Sequence, residues 1–475
     1  MSNQAQGQDP ALPPQPRAIL RGHKAQVHAA AFIRSNQRLL TGDADGFVVA
    51  WDLAIMRPRA VWQAHGDAIL GIAGWAPDKI ITHGRDNKLI VWRLTSDDES
   101  ALSSTLPLDP VTELRPKPWM LHLLEVNTMN FCSFASCPTS SSALPAAASA
   151  TPASSSEKPS ILGSELLLAV PNTLASEAVD IYHLPSQTRI HTVRLGQDNG
   201  MAMALALVWL GDVLTLIVGY ENGLAVVAQL GPSGDGSWAA IYRNKSHSQP
   251  ILSLDVAPNR DYFLTTGADA IIAKHPLLPP APPIADTERD APETAPPEIS
   301  SKDMPSKEEQ NGEPDTEKKQ PSSALSALLG SQKSAARPVP LEKSEIKTQP
   351  IKVLDTKHSG QQGLRIRSDG RVFATAGWDS KTRVYSTKSM REVAVLKWHA
   401  VGCFSVAFAD TTLHESSHDV DTQSKSTDDD VASTTTVVPR LLKMTVKERR
   451  VKQATDAHWL ATGSKDGKVS LWDVF

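Results

Sequence analysis

The sequence predicts an all-β protein: seven four-stranded blades in a ring, closed by a strand from near the N-terminus, with disordered insertions between strands. Three observations predict it. A spaced pattern, Thr then Asp four residues on, then a ring six residues further, occurs five times. Short runs of alternating apolar and polar residues fill the intervals, as half-buried strands do. The last copy of the pattern, which ends at Trp472, leaves no room for a fourth strand, whereas 17–20 reads as a strand standing before the first copy.

The five copies are Thr41–Asp45–Trp51, Thr82–Asp86–Trp92, Thr265–Asp269–His275, Thr375–Asp379–Tyr385 and Thr462–Asp466–Trp472. Three have a His upstream at nearly one distance from the ring: His23, His65 and His358. This is the spacing of a WD repeat. Thr ends one strand, Asp sits in a tight turn, and the ring lies on the next strand. A His from the incoming loop can then bond to both Asp and Thr, with an indole N–H as a further donor. A satisfied network of this kind fixes one packing of the blade. Catalysis by a Thr/His/Asp set is the rival reading, but a catalytic set has no reason to recur around a ring. The residues are therefore expected to be structural.

The blades follow in order. Blade one takes 27–32, passes through Trp51 and ends at 60–62. Blade two starts at Ala68, passes through Trp92 and ends near 120–124. Blade three is degenerate, with 129–135, 166–170, 179–182 and 188–195. Blade four is 203–210, 213–218, 224–227 and 239–243. Blade five is 251–256, 263–266 and 271–274, with an outer strand near 351–354. Blade six is 364–367, 372–376, 382–385 and 392–397. Blade seven is 404–408, 459–462 and 468–472, completed by 17–20 pairing with Trp472-Asp-Val. Such closure removes the free sheet edge.

Four insertions are expected: 95–118, 137–160, 276–348 and 410–456, with a polar, Pro-rich tail at 1–16. One propeller at 17–475 is the only folded domain expected. Each insertion joins strands a and b or strands c and d. Neighbouring strands are antiparallel, so all four leave by one face, while the other carries only short turns. On that clean face the residue before each turn Asp points outward: Ala44, Arg85, Ala268, Trp378 and Lys465. Trp and Arg are enriched at binding hot spots. Arg85, Trp378 and Lys465 are therefore candidate partner contacts. Against this, Trp378 could lie flat on a neighbouring blade, and the two cations could be solvated charge.

Composition narrows the function. A net charge of −4 argues against general nucleic-acid binding. Cys132, Cys137 and Cys403 give neither a disulfide framework nor zinc spacing, so a reducing intracellular compartment and no metal are expected. The apolar stretch 201–220 is divided by Gly211-Asp212 into two strand-length runs, which favours a buried hairpin over a membrane span. No secretory segment stands at the N-terminus. No phosphate loop, His-Glu-x-x-His or Gly-x-Ser-x-Gly occurs, so neither a cofactor nor an enzyme is expected. Asp428-Asp-Asp430 followed by Lys447-Glu-Arg-Arg-Val-Lys452 reads as a solvated loop, with an import patch as the rival. The stretch 322–329 is a candidate amphipathic turn for a partner, and Asp97-Asp-Glu99 reads as loop charge.

Four runs carry a closer likeness: His358-Ser-Gly-Gln-Gln-Gly-Leu, Ala374-Thr-Ala-Gly-Trp-Asp-Ser-Lys-Thr-Arg-Val-Tyr385, Ala394-Val-Leu-Lys-Trp-His399 and Gly463-Ser-Lys-Asp-Gly-Lys-Val-Ser-Leu-Trp472. They resemble the fungal ASTRA-associated WD-repeat family, whose animal counterparts are G-protein β-subunit-like. The resemblance implies a nuclear scaffold subunit of the ASTRA assembly, with the cytoplasm as a second location and a link to chromatin remodelling. Implied partners are a co-chaperone trio that matures phosphatidylinositol-3-kinase-like kinases, a kinase-related scaffold and an AAA+ helicase pair. The alternative on the same fold is a peptide-reading module for a histone tail or degron.

Overall fold

A computed structural model describes residues 14–110, 114–127, 131–141, 165–232, 235–277, 346–411 and 444–474. Seven sheets of four antiparallel strands make up the ring. The innermost strands, called a, are Val27–Ile33, Ile69–Ala76, Ala135–Pro138, Ala202–Leu210, Ile251–Val256, Gln361–Ile366 and Cys403–Phe408. The outermost strands, called d, are Arg57–Gln63, Trp119–Glu125, Thr188–Val193, Trp238–Asn244, Lys352–Asp355 and Glu392–Leu396, with Ala18–Arg21 as the seventh. In six blades the a–b pairing carries a bulge within the first residues of strand a, for example between Val27 and Ala29. A bulge increases local twist.

The core lies between blades rather than within one. Leu39, Val49, Trp51 and Val61 of blade one pack with Leu20, Val469 and Leu471 of blade seven. Leu40, Val48 and Trp62, on the other side of blade one, pack with Ile80, Ile90 and Trp92 of blade two. Period-two alternation therefore feeds two interfaces per blade. The stretch 201–220 is a hairpin, Ala202–Leu210 with Val213–Tyr220, turning at Gly211. Among the described residues no helix is long and apolar enough to cross a membrane.

The closing strand pairs with 468–471 rather than with Trp472-Asp-Val. Ala18 faces Leu471 and Arg21 faces Lys468, while the Arg17 amide donates to Leu471 O. Strand a of blade three is also displaced: it is Ala135–Pro138, not 129–135, of which 129 and 130 lie outside the described residues.

Three expected insertions are partly structured. In 95–118, a 3-10 turn at Asp98–Ala101 buries Glu99. Arg34 and Arg38 both bond to the Glu99 carboxylate, the latter through Nη2 at 3.0 Å, and Arg59 Nε stands 3.6 Å from it. Glu99 is thus a buried ionic clamp rather than loop charge, and removing it would leave cations uncompensated. The same segment covers the outer edge of blade one, where Val61 N donates to Ser103 O. The end of 276–348 does likewise on blade four, where Lys347 bridges Tyr242 in parallel. Covering edges in this way limits unwanted strand pairing.

The end of 410–456 is a helix, Val446–Asp456, where a solvated loop was expected. A capping box between Thr445 and Glu448 starts it. Ala454 is buried, and Trp459 Nε1 donates to its carbonyl at 2.8 Å. The runs 322–329 and 428–430 lie outside the described residues.

Candidate functional site

Blade two shows the expected network in full. His65 Nε2 meets Thr82 Oγ1 at 2.8 Å, Nδ1 meets Asp86 Oδ1 at 2.8 Å, and Trp92 Nε1 donates to Thr82 Oγ1 at 2.8 Å. Burial alone would raise the Asp86 carboxyl, but bonds from His65 and the Gly66 amide hold it below its usual value. Blade one has the same network with a different acid. His23 Nδ1 bonds to Asp43 Oδ2 at 2.7 Å, and Asp43 Oδ1 accepts from the amides of Asp45 and Phe47. Asp43, the last residue of strand b, closes this blade in place of Asp45. Thr41 Oγ1 meets His23 Nε2 at 2.7 Å and accepts from Trp51 Nε1 at 2.8 Å.

Blade five forms the network around His247, which the pattern reading missed. His247 meets Thr265 Oγ1 at 2.8 Å and Asp269 Oδ1 at 2.9 Å. His275 stands in the ring position, bonded to Thr265 at 2.9 Å and to Tyr242 OH at 2.9 Å. The signal for His247 was present: it precedes His275 by 28 residues, as His23 precedes Trp51. Burial, with a smaller push from His247, lowers the His275 imidazole to about 3.

Blades six and seven depart from the pattern. His358 Nδ1 stands 4.0 Å from Asp379, and its side chain is 42% exposed. Arg383 takes the carboxylate instead, with two bonds at 3.1 and 2.7 Å. Tyr385 is buried and stacks on Phe373. In blade seven the hydroxyl moves across one strand. His399 Nε2 and Trp472 Nε1 both meet Ser470 Oγ, at 2.8 and 2.9 Å, while Thr462 accepts from Thr382 of blade six. Asp466 is 4.0 Å from His399 Nδ1 and bonds to Ser464 and Lys468. Burial lowers His399 to about 4.

In blades one, two and five the histidine of the set is sealed from solvent: the His23, His65 and His247 side chains are fully buried. Burial raises all three thiols, Cys137 and Cys403 to about 12 and Cys132 further, so none is a ready nucleophile. Among the described residues no group of His, Cys, Asp and Glu is placed to hold a metal ion.

What is open to solvent is the mouth of the central channel. A cavity of about 920 Å³ is lined from all seven inner strands or the residues leading into them, including His28, Leu70, Met203, Leu252, Gln362 and Phe404. Trp378 and Lys465 stand at its rim. Trp378 is 47% exposed and donates to Gln362 Oε1 at 2.7 Å. It lies over Gly360, where φ is +77° and any Cβ would meet the indole at 2.2 Å. The indole is thus packed on the loop that leads into its own blade, while about half of the residue stays open to solvent. Arg85 is exposed, with its guanidinium 4.2 Å from the ring of Phe131, itself 57% exposed. Phe131 was invisible as a contact residue because it lies outside the repeat pattern.

Fold and site together define a WD-type seven-bladed propeller with buried His–Thr–Asp networks and an open channel mouth. A family model described as ASTRA-associated protein 1 matches residues 16–472. Curated proteins of that name are similar along most of their length. One from Pyricularia oryzae is 52% identical over 98% of each chain, and one from Verticillium alfalfae is 49% identical over 97% of this chain and 93% of its own. One from Schizosaccharomyces pombe is 28% identical over 83% of this chain and 93% of its own. The chain belongs to the ASTRA-associated protein 1 family.

Proposed function

We propose that this propeller is a non-enzymatic scaffold subunit of the ASTRA complex, acting in the nucleus in chromatin organisation and in co-chaperone-assisted maturation of phosphatidylinositol-3-kinase-like kinases. The observation that carries a docking role is the channel mouth, where Trp378 and Lys465 stand beside the cavity and Phe131, which also lines it, carries the Arg85 guanidinium over its ring. Preorganised aromatic and Arg side chains lose little entropy on binding. The relatives' shared name, which speaks of association with ASTRA, supports the choice of assembly. Partners in this reading are protein subunits: the co-chaperone trio, the kinase-like scaffold and the helicase pair.

The test is affinity purification with mass spectrometry of the Trp378→Ala/Arg85→Glu variant. Recovery of the partner subunits should fall about tenfold or more while the thermal transition persists. Unchanged recovery removes this face from the interface. A peptide-reading role remains the second reading, favoured by the size and aromatic lining of the channel cavity. A peptide array yielding one discrete motif separates it from whole-domain docking.

A further inference from the structure

The opposite face carries a second surface, built by the helix Val446–Asp456 against blade one. The two enclose a groove of about 660 Å³, lined by Ala54, Ile55, Arg59, Val446, Arg450 and Val451, among others. Residues 447, 450, 451 and 454 share one helix face by their i, i+3, i+4, i+7 spacing, and all four line the groove. A face turned to a protein body is normally apolar throughout. Here only its C-terminal half conforms, with Val451 and the buried Ala454. The N-terminal half places Lys447 and Arg450 beside apolar groups left open to solvent, Ile55 at 52% and Val446 at 62% exposure.

The charge around the groove is one-sided. Lys447, Arg449, Arg450, Lys452, Arg57 and Arg59 are all exposed. The acids nearby are already engaged: Glu448 caps its own helix, Asp52 stands 3.3 Å from Arg38, and Glu99 is buried in its clamp. Among the described residues no carboxylate forms an ion pair with Lys447, Arg450 or Lys452. We propose that this groove binds an acidic amphipathic helical segment of a partner protein, with apolar side chains seated on Ile55, Val446 and Val451 and carboxylates facing Lys447, Arg450 and Arg59. The groove is lined by the aliphatic side chains of Ala54, Ile55, Val446 and Val451, which suits the apolar face of a helix laid along it. Duplex DNA would leave that floor unused, and a membrane would need a broader apolar surface. The surface is independent of the channel mouth, so each can fail without the other.

The experiment is fluorescence anisotropy with the full chain and a labelled helix-forming peptide of roughly 20 residues, Leu on one face and Glu on the rest. Saturable binding is expected, weakened about tenfold or more by Lys447→Glu/Arg450→Glu and by Ile55→Asp, and insensitive to Trp378→Ala. All substituted positions are exposed, and circular dichroism checks that each variant keeps its β signal. A scrambled peptide of the same composition binding equally well would overturn the proposal. So would tighter binding of anionic phosphatidylserine vesicles or duplex DNA. Binding that emerges only after deletion of 415–440 would assign the groove to the chain's own Asp428-Asp-Asp430 run and overturn it too.

Discussion

Blade two and blade six carry the same mark, Thr and Asp four residues apart with a ring six further on, yet they are held differently. In blade two the carboxylate of Asp86 takes the imidazole of His65, and one hydroxyl serves both His65 and Trp92. In blade six Asp379 takes Arg383, and His358 is left half in solvent. The difference traces to the fourth residue after Asp: Ile90 in one blade, Arg383 in the other. A guanidinium that is 4% exposed forms two parallel bonds to a carboxylate, a stronger arrangement than one bond from an imidazole. Burial alone would raise Asp379, and the bonds and charge of Arg383 bring it below its usual value. One spacing therefore encodes a strand–turn–strand unit, while the bonding partner is set by a neighbour that the spacing ignores.

The contrast can be broken at blade two. Thr82→Val removes the hydroxyl that accepts from Trp92 Nε1 and bonds to His65 Nε2, leaving both buried nitrogens without that partner. A loss of about 2–6 kcal/mol is expected, at about 1–3 kcal/mol for each of the two unsatisfied groups, read from the shift of the urea midpoint.

Acid sharpens the contrast between blades with buried and exposed histidines. His275 and His399 are lowered to about 3 and about 4, against an unfolded value near 6.5. Between those limits the unfolded chain binds protons that the folded chain does not. Their contribution is complete above about pH 6.5 and declines as pH falls towards 4, by at most about 1.4 kcal/mol per pH unit for each group. In denaturation at stepped pH, His399→Gln should show a shallower decline, since a side-chain amide can bond to Ser470 Oγ without titrating. An identical slope would remove His399 from the acid response.

The smallest effect belongs to blade six. His358→Ala should change stability by less than about 0.5 kcal/mol, as expected of a surface position outside any buried network. A midpoint shift comparable to that of Thr82→Val would show that His358 is a working member of its blade after all.

Much of the ring was legible because the Thr–Asp–ring spacing counts turns, and turns count blades. Which atoms meet was less so. Asp43 and Asp45 sit two residues apart in one turn, and spacing selects the wrong one. His399 precedes Trp472 by 73 residues, 45 more than the 28 of blade one, because the insertion stands between them. Glu99 has no periodic context at all; only its three arginines, which come from blade one, reveal it. At the candidate surfaces, Trp378 was found from its residue type and place in a turn. Phe131 and the helix groove needed the folded chain, since each joins residues distant in sequence.

The closing strand has a consequence for how the molecule is made. Leu20 faces Val469 across 449 residues of chain. Loop-closure entropy rises only slowly with length, so that span adds little to the equilibrium cost. Its cost is in time. During synthesis from the N-terminus, 18–21 have no partner until 468–473 have emerged, and blade one stands beside an unfilled gap. The latch forms only after the 449 residues between Leu20 and Val469 have been made, so vulnerability to mispairing spans that whole interval.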